Sequence, residues 1–436
     1  MPPNERARDE VATLRARTAE LEAALIAGRT EQVAPQIAEL RTRADATGYV
    51  PIEARARFLV ARLAVARAQF SAAVDDLHAA AQQATAARDL ELLAEIWIEL
   101  VAALGNDVRT GDEARRFDGY ASALVAQLPD REVLALRLEH ARCNRNVTGA
   151  EVADAIQHCW TTIALAERAH RPELANAART RLGHFQRMAG HVDDALVTLH
   201  AAVAEATRVF GAAHPETATA RYALGMALVA AGQVEPGIAE LRAVLALRRA
   251  AFPAGGAAVA EALEGLGDAL GEAGHHAEAV PYLEEGLAEL ERTHAGDSAV
   301  AVNLHILAAM SLEELHRNPE ALAHDLRAAD LAERSLEHRE ELAAMALRLA
   351  AHLEPHPATG LAEVERALRL LERGHGSVVA LGKTQLDIAA LAEATGDRTR
   401  AHAMAETALA SLRAAGPAGA EDSARALPEA QALLKR

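Results

Sequence analysis

A small residue recurs every 42 positions through the middle of the chain, three times as glycine and then as alanine. A second small residue follows each of them after 12 positions, and leucine returns 16 positions after each glycine. Two helices cross closely only where their side chains are small, and neighbouring leucines then fill the rest of the contact. The repeat therefore predicts a row of helix pairs. Its defining residues are Gly183, Gly225, Gly267 and Ala309, then Ala195, Gly237, Ala279 and Ala321, and the leucines Leu199, Leu241 and Leu283.

The turn inside each predicted pair has its own signal. Seven positions after each small residue of the first set stand Gly190, Gly232, Gly274 and His316. This place suits the left-handed residue with which many helices end. Proline supports the same phase, because its missing N–H costs little in the first turn of a helix. Pro51, Pro172 and Pro215 are predicted to begin first helices, and Pro319 a second one.

Composition agrees with a helical chain. Alanine, the strongest helix former, accounts for 108 of the 436 residues. Extending the period in both directions predicts ten helix pairs, and a last amphipathic stretch from about Ala420 to Lys435 is expected to cover the open end of the stack. The predicted fold is all-α, a right-handed α-solenoid. The second helices of the pairs are marked by Val33, Ala73, Ala114, Ala153, Ala195, Gly237, Ala279, Ala321, Gly360 and Ala401.

The regularity of the repeat predicts three regions. Residues 129–334 hold the central array with the 42-residue period, residues 1–128 hold degenerate pairs before it, and residues 335–436 hold degenerate pairs and the capping helix.

The small-residue pattern of Leu182-Gly183 with Ala195, repeated at Leu224-Gly225 and Leu266-Gly267, resembles the tetratricopeptide repeat. The period of 42 residues and the linker 210–217 are similar to the kinesin-light-chain type of that repeat. The alanine- and arginine-rich texture is similar to arrays that follow the catalytic domain of bacterial, notably myxobacterial, serine/threonine kinases. The resemblance implies a superhelix whose inner groove is lined by first helices and binds peptides or proteins, in a bacterial signalling system.

Charge and cysteine content bear on partners and compartment. Acidic residues outnumber basic ones 62 to 45, which argues against non-specific nucleic-acid binding because no basic excess offsets phosphate repulsion. No run of 18 apolar residues and no leader-like segment occur, so neither a membrane partner nor export is expected. Cys143 and Cys159 are too few for a disulfide framework or a zinc site. A cytoplasmic protein is predicted.

The sequence offers no catalytic motif. The stretch from Gly376 to Thr384 nearly matches a phosphate-binding loop but has five residues between its glycines where the motif has four. Kinase signatures and a nucleophile elbow are missing, and the histidines lack metal-ligand spacing. We therefore predict no catalytic residue, no cofactor, no metal and no enzyme activity.

The groove remains as the candidate site. The repeat phase places a basic stretch, an apolar stretch and an acidic stretch along the inner face, which could fix the position of a bound peptide by complementary charge. The alternative is that these charges are solvated or pair with one another. The predicted groove residues are Arg142, Arg145, Arg181, His184, Arg187, Tyr222, Met226, Glu261, Glu264, Asp268, Glu272, Met310, Glu313 and Glu314, with Thr219, Val229 and Ile306 on the same predicted face.

These residues predict a non-catalytic interaction scaffold that binds a peptide or partner protein. The alternatives are a receptor whose groove closes on a peptide, and a scaffold that assembles with copies of itself through its end pairs. Reversing Arg181 and Arg187 to glutamate is expected to abolish partner binding without lowering the melting temperature.

Overall fold

The structure, a computed structural model, describes residues 5–26, 29–67, 69–106, 110–129, 131–147, 151–293, 295–296, 298–335, 340–374, 376–415 and 420–435. Within those ranges the secondary structure is helical, with 21 α-helices and no strand. Twenty of the helices form ten successive pairs, as the repeat predicts. The all-α solenoid expected from the sequence is confirmed.

The ten pairs and the capping helix have the following bounds. The pairs of the first half are α1 (Glu5–Ile26) with α2 (Thr30–Ala46), α3 (Val50–Ala66) with α4 (Phe70–Ala87), α5 (Leu90–Leu104) with α6 (Gly111–Val125), α7 (Arg131–Cys143) with α8 (Glu151–Arg168), and α9 (Pro172–Met188) with α10 (Val192–Phe210). Those of the second half are α11 (Pro215–Ala230) with α12 (Val234–Ala251), α13 (Ala257–Glu272) with α14 (His276–Arg292), α15 (Ala299–Glu314) with α16 (Asn318–Ser335), α17 (Glu340–Leu353) with α18 (Pro357–Arg373), and α19 (Val378–Ala394) with α20 (Arg398–Ala414), and α21 (Ala420–Leu433) follows as the cap.

The turns within the central pairs have the left-handed backbone that the sequence predicts. The φ angles of Gly190, Gly232 and Gly274 are 77°, 75° and 75°. His316 adopts the same conformation, with φ of 58°, although it carries a side chain. The turn geometry is therefore common to all four pairs and does not depend on glycine alone.

The small residues mark close helix crossings. A Cβ placed on Gly225 would lie 2.9 Å from Leu241 and 3.2 Å from the carbonyl oxygen of Gly237. A Cβ on Gly183 would overlap the Leu199 side chain, and one on Gly267 would overlap Leu283. Leucine and glycine therefore fit each other across the pair, which leaves the leucines buried and without exposed area.

One marker of the second helices is wrong by two positions. Ala153 is exposed, whereas Ala155 is buried and begins the same buried series as in the other pairs, continued by Cys159 and Ala166. Counting back one period of 42 residues from Ala195 reaches position 153, but the spacing here is 40 residues, so the predicted marker falls on the exposed face of α8. The other nine markers are buried on second helices.

The helices form two compact units, residues 1–202 (unit 1) and 203–436 (unit 2). The three predicted regions, with boundaries at 128 and 334, describe how regular the repeat is in the sequence, whereas the two units describe compactness in the structure. The three regions therefore stay a prediction. Within each unit, first helices of successive pairs pack against each other, as α5 does on α7 and α13 on α15, while second helices make at most marginal contact. The first-helix side of each unit is therefore its inner, concave side.

Candidate functional site

The inner face of unit 2 consists of the side chains of α11, α13 and α15 that remain accessible on the first-helix side. These residues recur three or four positions apart, as one face of a helix must. The face begins with apolar side chains on α11 and becomes acidic on α13. Its members are Thr219, Tyr222 and Met226 on α11, Glu261, Glu264, Asp268 and Glu272 on α13, and Asn303, Leu307, Met310 and Glu314 on α15.

Two residues predicted for this face are in the core. Val229 is 6% exposed and lies where a Cβ on Gly237 would meet it, so it faces the second helix of its own pair. Ile306 is 4% exposed and belongs to the apolar core of unit 2. Both lie next to the accessible stripe on the helix surface, and the repeat spacing does not resolve so small a rotation about the helix axis.

Burial and mutual repulsion destabilise the charged forms of the carboxylates on the acidic part of the face. The pKa of Glu264 is raised to about 7, first because burial disfavours its charged form and then because Glu261 and Asp268 repel it. Asn303 donates a hydrogen bond to Glu264 Oε1 at 2.9 Å, which partly opposes that rise. Tyr222, also buried beside Glu264, has its pKa raised to about 12. A positive charge placed here would relieve the repulsion.

Three further predicted residues lie at the far side of the acidic stretch. Met310 is 50% exposed, an unusual value for so large an apolar side chain, and Glu314 lies one turn beyond it on α15. Glu313 is exposed as well, but its charge acts on the buried Asp325 and on His352. The structure therefore brings Met310 and Glu314 to the inner face and turns Glu313 toward the next pair.

The predicted basic residues of unit 1 are largely bound within the chain. Arg142 pairs with Asp118, with Nε 2.7 Å from Oδ1, and also with Glu139. Arg145 lies 3.6 Å from Glu151. For these two arginines the alternative reading, in which groove charges pair with one another, describes the structure.

Arg181 holds the end of α7. Its Nη2 donates to the carbonyl oxygen of Arg145 at 3.0 Å and to the Asn146 side chain at 2.6 Å, and its guanidinium lies over the Phe185 ring at 4.8 Å. Burial lowers its pKa. The expectation that glutamate at this position leaves the melting temperature unchanged is therefore revised, because the reversal would remove these hydrogen bonds and bury an unpaired charge.

His184 and Arg187 keep the character predicted for them. Burial, together with the charges of Arg181 and Arg187, lowers the pKa of His184 to about 4, so the imidazole is neutral at physiological pH. Arg187 makes no ion pair or hydrogen bond with any residue that the structure describes, and Met188 beside it is 42% exposed. These residues form the accessible part of the unit 1 face.

Asp325 and Arg248 are buried charged residues of unit 2 that were not predicted, although the repeat contains the signal for both. Four positions after the small marker, seven of the ten second helices carry a branched apolar side chain or alanine, whereas α16 carries Asp325. Eleven positions after the marker, nine second helices carry a buried apolar residue, whereas α12 carries Arg248. These nine are Ala44, Ala84, Val125, Ala166, Ala206, Leu290, Ala332, Leu371 and Leu412.

The two cysteines are bonded. Cys143 at the end of α7 and Cys159 in α8 form a disulfide, and both are buried. Two cysteines are too few for a disulfide framework, as the sequence indicates, but a single bond between two helices of one pair needs no framework. The cysteines therefore lend no support to a reducing compartment.

The described part of the chain contains no cluster of three or more potential metal ligands. Among the same residues, no helix combines the length and apolar character needed to span a bilayer.

Comparison with known proteins places the fold. No family model and no curated protein matches the sequence. Among solved structures, the chain is similar to the apo form of the quorum sensor NprR from B. thuringiensis, with a TM-score of 0.53, 13% identity and coverage of 92% of this chain and 99% of that one. The fold is that of a tetratricopeptide-repeat protein.

Kinesin-light-chain-like proteins are among the structural neighbours, as the 42-residue period suggested. BtubC from P. vanneervenii has a TM-score of 0.46 at 16% identity, covering 52% of this chain and 92% of its own. A putative kinesin light chain from P. anserina has a TM-score of 0.38 at 19% identity, covering 48% and 95%. The row of helix pairs, together with the likeness to NprR, confirms the predicted resemblance to the tetratricopeptide repeat at the level of fold.

Proposed function

We propose that this tetratricopeptide-repeat protein is a non-catalytic scaffold whose unit 2 inner face binds a basic, partly apolar segment of a peptide or partner protein. The observation that carries the proposal is Glu264, a carboxylate held beside Glu261 and Asp268 with its pKa raised to about 7. Among the described residues, Glu264, Glu272 and Glu314 form no ion pair. A guanidinium or ammonium group from a partner would supply the missing positive charge.

The apolar members of the face give the partner a second type of contact. Met226 and Leu307 are partly exposed and pack on the core of unit 2, and Met310 is half exposed. Methionine side chains adapt to irregular partner surfaces. The face has apolar side chains on α11 and α15 and acidic ones on α13, so we propose that it fits a segment that carries both basic and apolar residues.

In unit 1 we propose a separate contact surface at Arg187 and His184, because Arg142, Arg145 and Arg181 already have partners within the chain. Arg187→Glu is the informative variant there. It leaves the hydrogen bonds of Arg181 intact, so a loss of partner binding could not be attributed to damage at the end of α7.

A role in bacterial signalling in the cytoplasm is part of the proposal. It is supported by the likeness of the sequence to arrays linked to bacterial kinases and by the fold shared with a quorum sensor. A receptor that changes shape on binding a peptide is the second candidate, and a decrease in the radius of gyration on binding, measured by solution scattering, would distinguish it from a rigid scaffold.

The test uses two short probes without free termini, acetyl-Arg-Leu-Leu-Arg-amide and its counterpart with glutamate in place of arginine. Only the basic probe should bind, more tightly at pH 8 than at pH 6, because Glu264 loses its proton across that range while arginine keeps its charge. Isothermal titration at both pH values measures this. Added salt should weaken binding.

Glu264→Gln should remove most of the pH dependence, whereas Glu291→Gln, an exposed carboxylate on the second helix α14, should change nothing. Equal binding of the two probes, or an unchanged pH dependence in Glu264→Gln, would refute the proposal.

A further inference from the structure

Arg248 is a buried arginine at a position that the other second helices reserve for apolar residues. It lies in the last turn of α12 and is 8% exposed. A guanidinium keeps its charge at every physiological pH, and burying it is costly unless it is paired and hydrogen-bonded. The departure from the repeat therefore places a permanent positive charge inside unit 2.

The intramolecular partners of Arg248 satisfy only part of this charge. Its Nη1 donates to the carbonyl oxygen of Ala258 at 2.7 Å and lies 3.3 Å from Glu261 Oε2. The guanidinium also lies over the ring of Tyr222, 5.3 Å from its centre. Among the described residues, Nε and Nη2 donate no hydrogen bond. Glu261 is a loose counter-ion, because its side chain is 50% exposed.

A cavity of about 230 Å³ opens beside this arginine, where the ends of α11, α12 and α13 meet. Its walls are mainly apolar, formed by Pro215, Ala218, Leu247 and Phe252, and its polar lining includes Arg248 and Glu261. The volume is below the range of about 300–1,000 Å³ that is typical of sites for drug-sized ligands. It suits a group of amino-acid size.

We propose that this cavity binds a carboxylate attached to a branched or aromatic apolar group. The carboxylate would accept hydrogen bonds from Nε and Nη2, which share one edge of the Arg248 guanidinium, and would displace Glu261 toward solvent. The apolar group would fill the space lined by Leu247 and Phe252. Charge-assisted bonds to arginine are strong where water is largely excluded.

This ligand chemistry has two sources, a free small acid and the C-terminal residue of a peptide. The site goes beyond the proposed function, since it recognises a negative group by an arginine, whereas the inner face recognises positive groups by carboxylates. The probes for the two sites differ accordingly. The two sites share Glu261, but their probes carry opposite charges, so a failure of one proposal is distinguishable from a failure of the other.

The experiment titrates the full chain with N-acetyl-leucine and with N-acetyl-leucinamide, followed by NMR. The free acid should bind at least tenfold more tightly than the amide, and Arg248→Leu should abolish that preference. Leucine occurs at this position in three other pairs, so the variant should fold with undiminished stability, which thermal unfolding checks. Arg249→Leu, an exposed neighbour whose side chain points to Glu285, is the matched control and should bind like the parent chain.

The variant Glu261→Gln provides an independent test, because it should change binding in the opposite direction from Arg248→Leu. Removing the competing carboxylate should strengthen binding of the free acid several-fold without disturbing the core. A tetrapeptide that ends in leucine with a free carboxylate is then compared with N-acetyl-leucine. Tighter binding of the tetrapeptide points to a peptide C-terminus as the ligand, and tighter binding of N-acetyl-leucine points to a free small acid; either result supports the site. Equal binding of acid and amide, no binding of any acid, or unaltered acid binding in Arg248→Leu would overturn it.

Discussion

At the scale of single residues, Asp325 is a carboxylate in a place built for leucine. It is 1% exposed, and its Oδ1 has no hydrogen-bond partner among the described residues. Burial raises its pKa to about 8, and the charge of Glu313 adds to the rise. In the three preceding pairs a leucine at this place fits against glycine, but here the first helix has Ala309. The side chain of Asp325 is shorter than leucine, which leaves room for the Cβ of Ala309.

Asp325 should make the protein less stable as the pH rises. Its pKa in the folded chain is far above the ordinary value near 3.8, so between about pH 4 and pH 8 the native state holds a proton that the unfolded state has lost. Stability from this group is therefore greatest below pH 4 and declines up to pH 8. Asp325→Asn should gain about 2 kcal/mol at pH 8 and progressively less toward pH 5. Urea unfolding across this range measures the difference.

The double variant Ala309→Gly, Asp325→Leu restores the glycine–leucine pair and should stabilise the chain further. Asp325→Leu alone is the control, since it sets leucine against the Cβ of Ala309. A stability difference between the parent chain and Asp325→Asn that stays constant with pH would contradict the assignment of a raised pKa.

At the scale of helix pairs, the α11–α12 crossing depends on two glycines. A Cβ on Gly237 would lie 2.8 Å from the carbonyl oxygen of Gly225 and 3.0 Å from the backbone nitrogen of Val229. Backbone atoms cannot move aside as a flexible side chain can. The pair would therefore have to separate to accept even one methyl group.

Gly237→Ala should accordingly destabilise the chain by about 1–3 kcal/mol, despite the better helix propensity of alanine. Gly119 in α6 is the matched control, because a Cβ there meets nothing within 4 Å. Gly119→Ala should stabilise by up to about 1 kcal/mol. Thermal unfolding of both variants tests the pair, and equal shifts of the same sign would show that close approach is not what selects glycine at position 237.

At the scale of the whole molecule, the helix pairs follow one another along the chain, and within unit 2 the main contacts between described helices of different pairs join successive pairs. The capping helix α21 packs Ala426 and Ala430 against Leu386, Ala408 and Leu412 of the last pair. In such an array, stability is a sum over pairs and the interfaces between neighbours. Damage at an end should therefore remain near that end.

Truncation after Ala415 should expose the apolar face of the last pair. Hydrogen exchange in α19 and α20 is expected to accelerate by at least tenfold, while exchange in α11 and α12 should stay within twofold of the full chain. Uniform acceleration along unit 2 would instead show that its pairs unfold as one cooperative body.

The sequence by itself determined the repeat, the ten pairs, the left-handed turns and the cap. Each of these follows from properties local to one helix or one turn, such as the spacing of Gly225 and Gly237 or the conformation suited to Gly232. A period of 42 residues repeats the same local pattern several times, and a marker was misplaced where the spacing departs from 42, as at Ala155.

Only the tertiary structure decided which charges are available for binding. Arg142 and Arg181 are both predicted by the sequence on the inner face of first helices, yet the first pairs with Asp118 and the second binds the end of α7. Arg248 stands out in the sequence, but only the structure places it beside a cavity. The disulfide between Cys143 and Cys159 is likewise a feature that only the tertiary structure decided. These outcomes depend on distances between atoms of different helices and on small rotations about the helix axes, which the periodicity of any single helix leaves open.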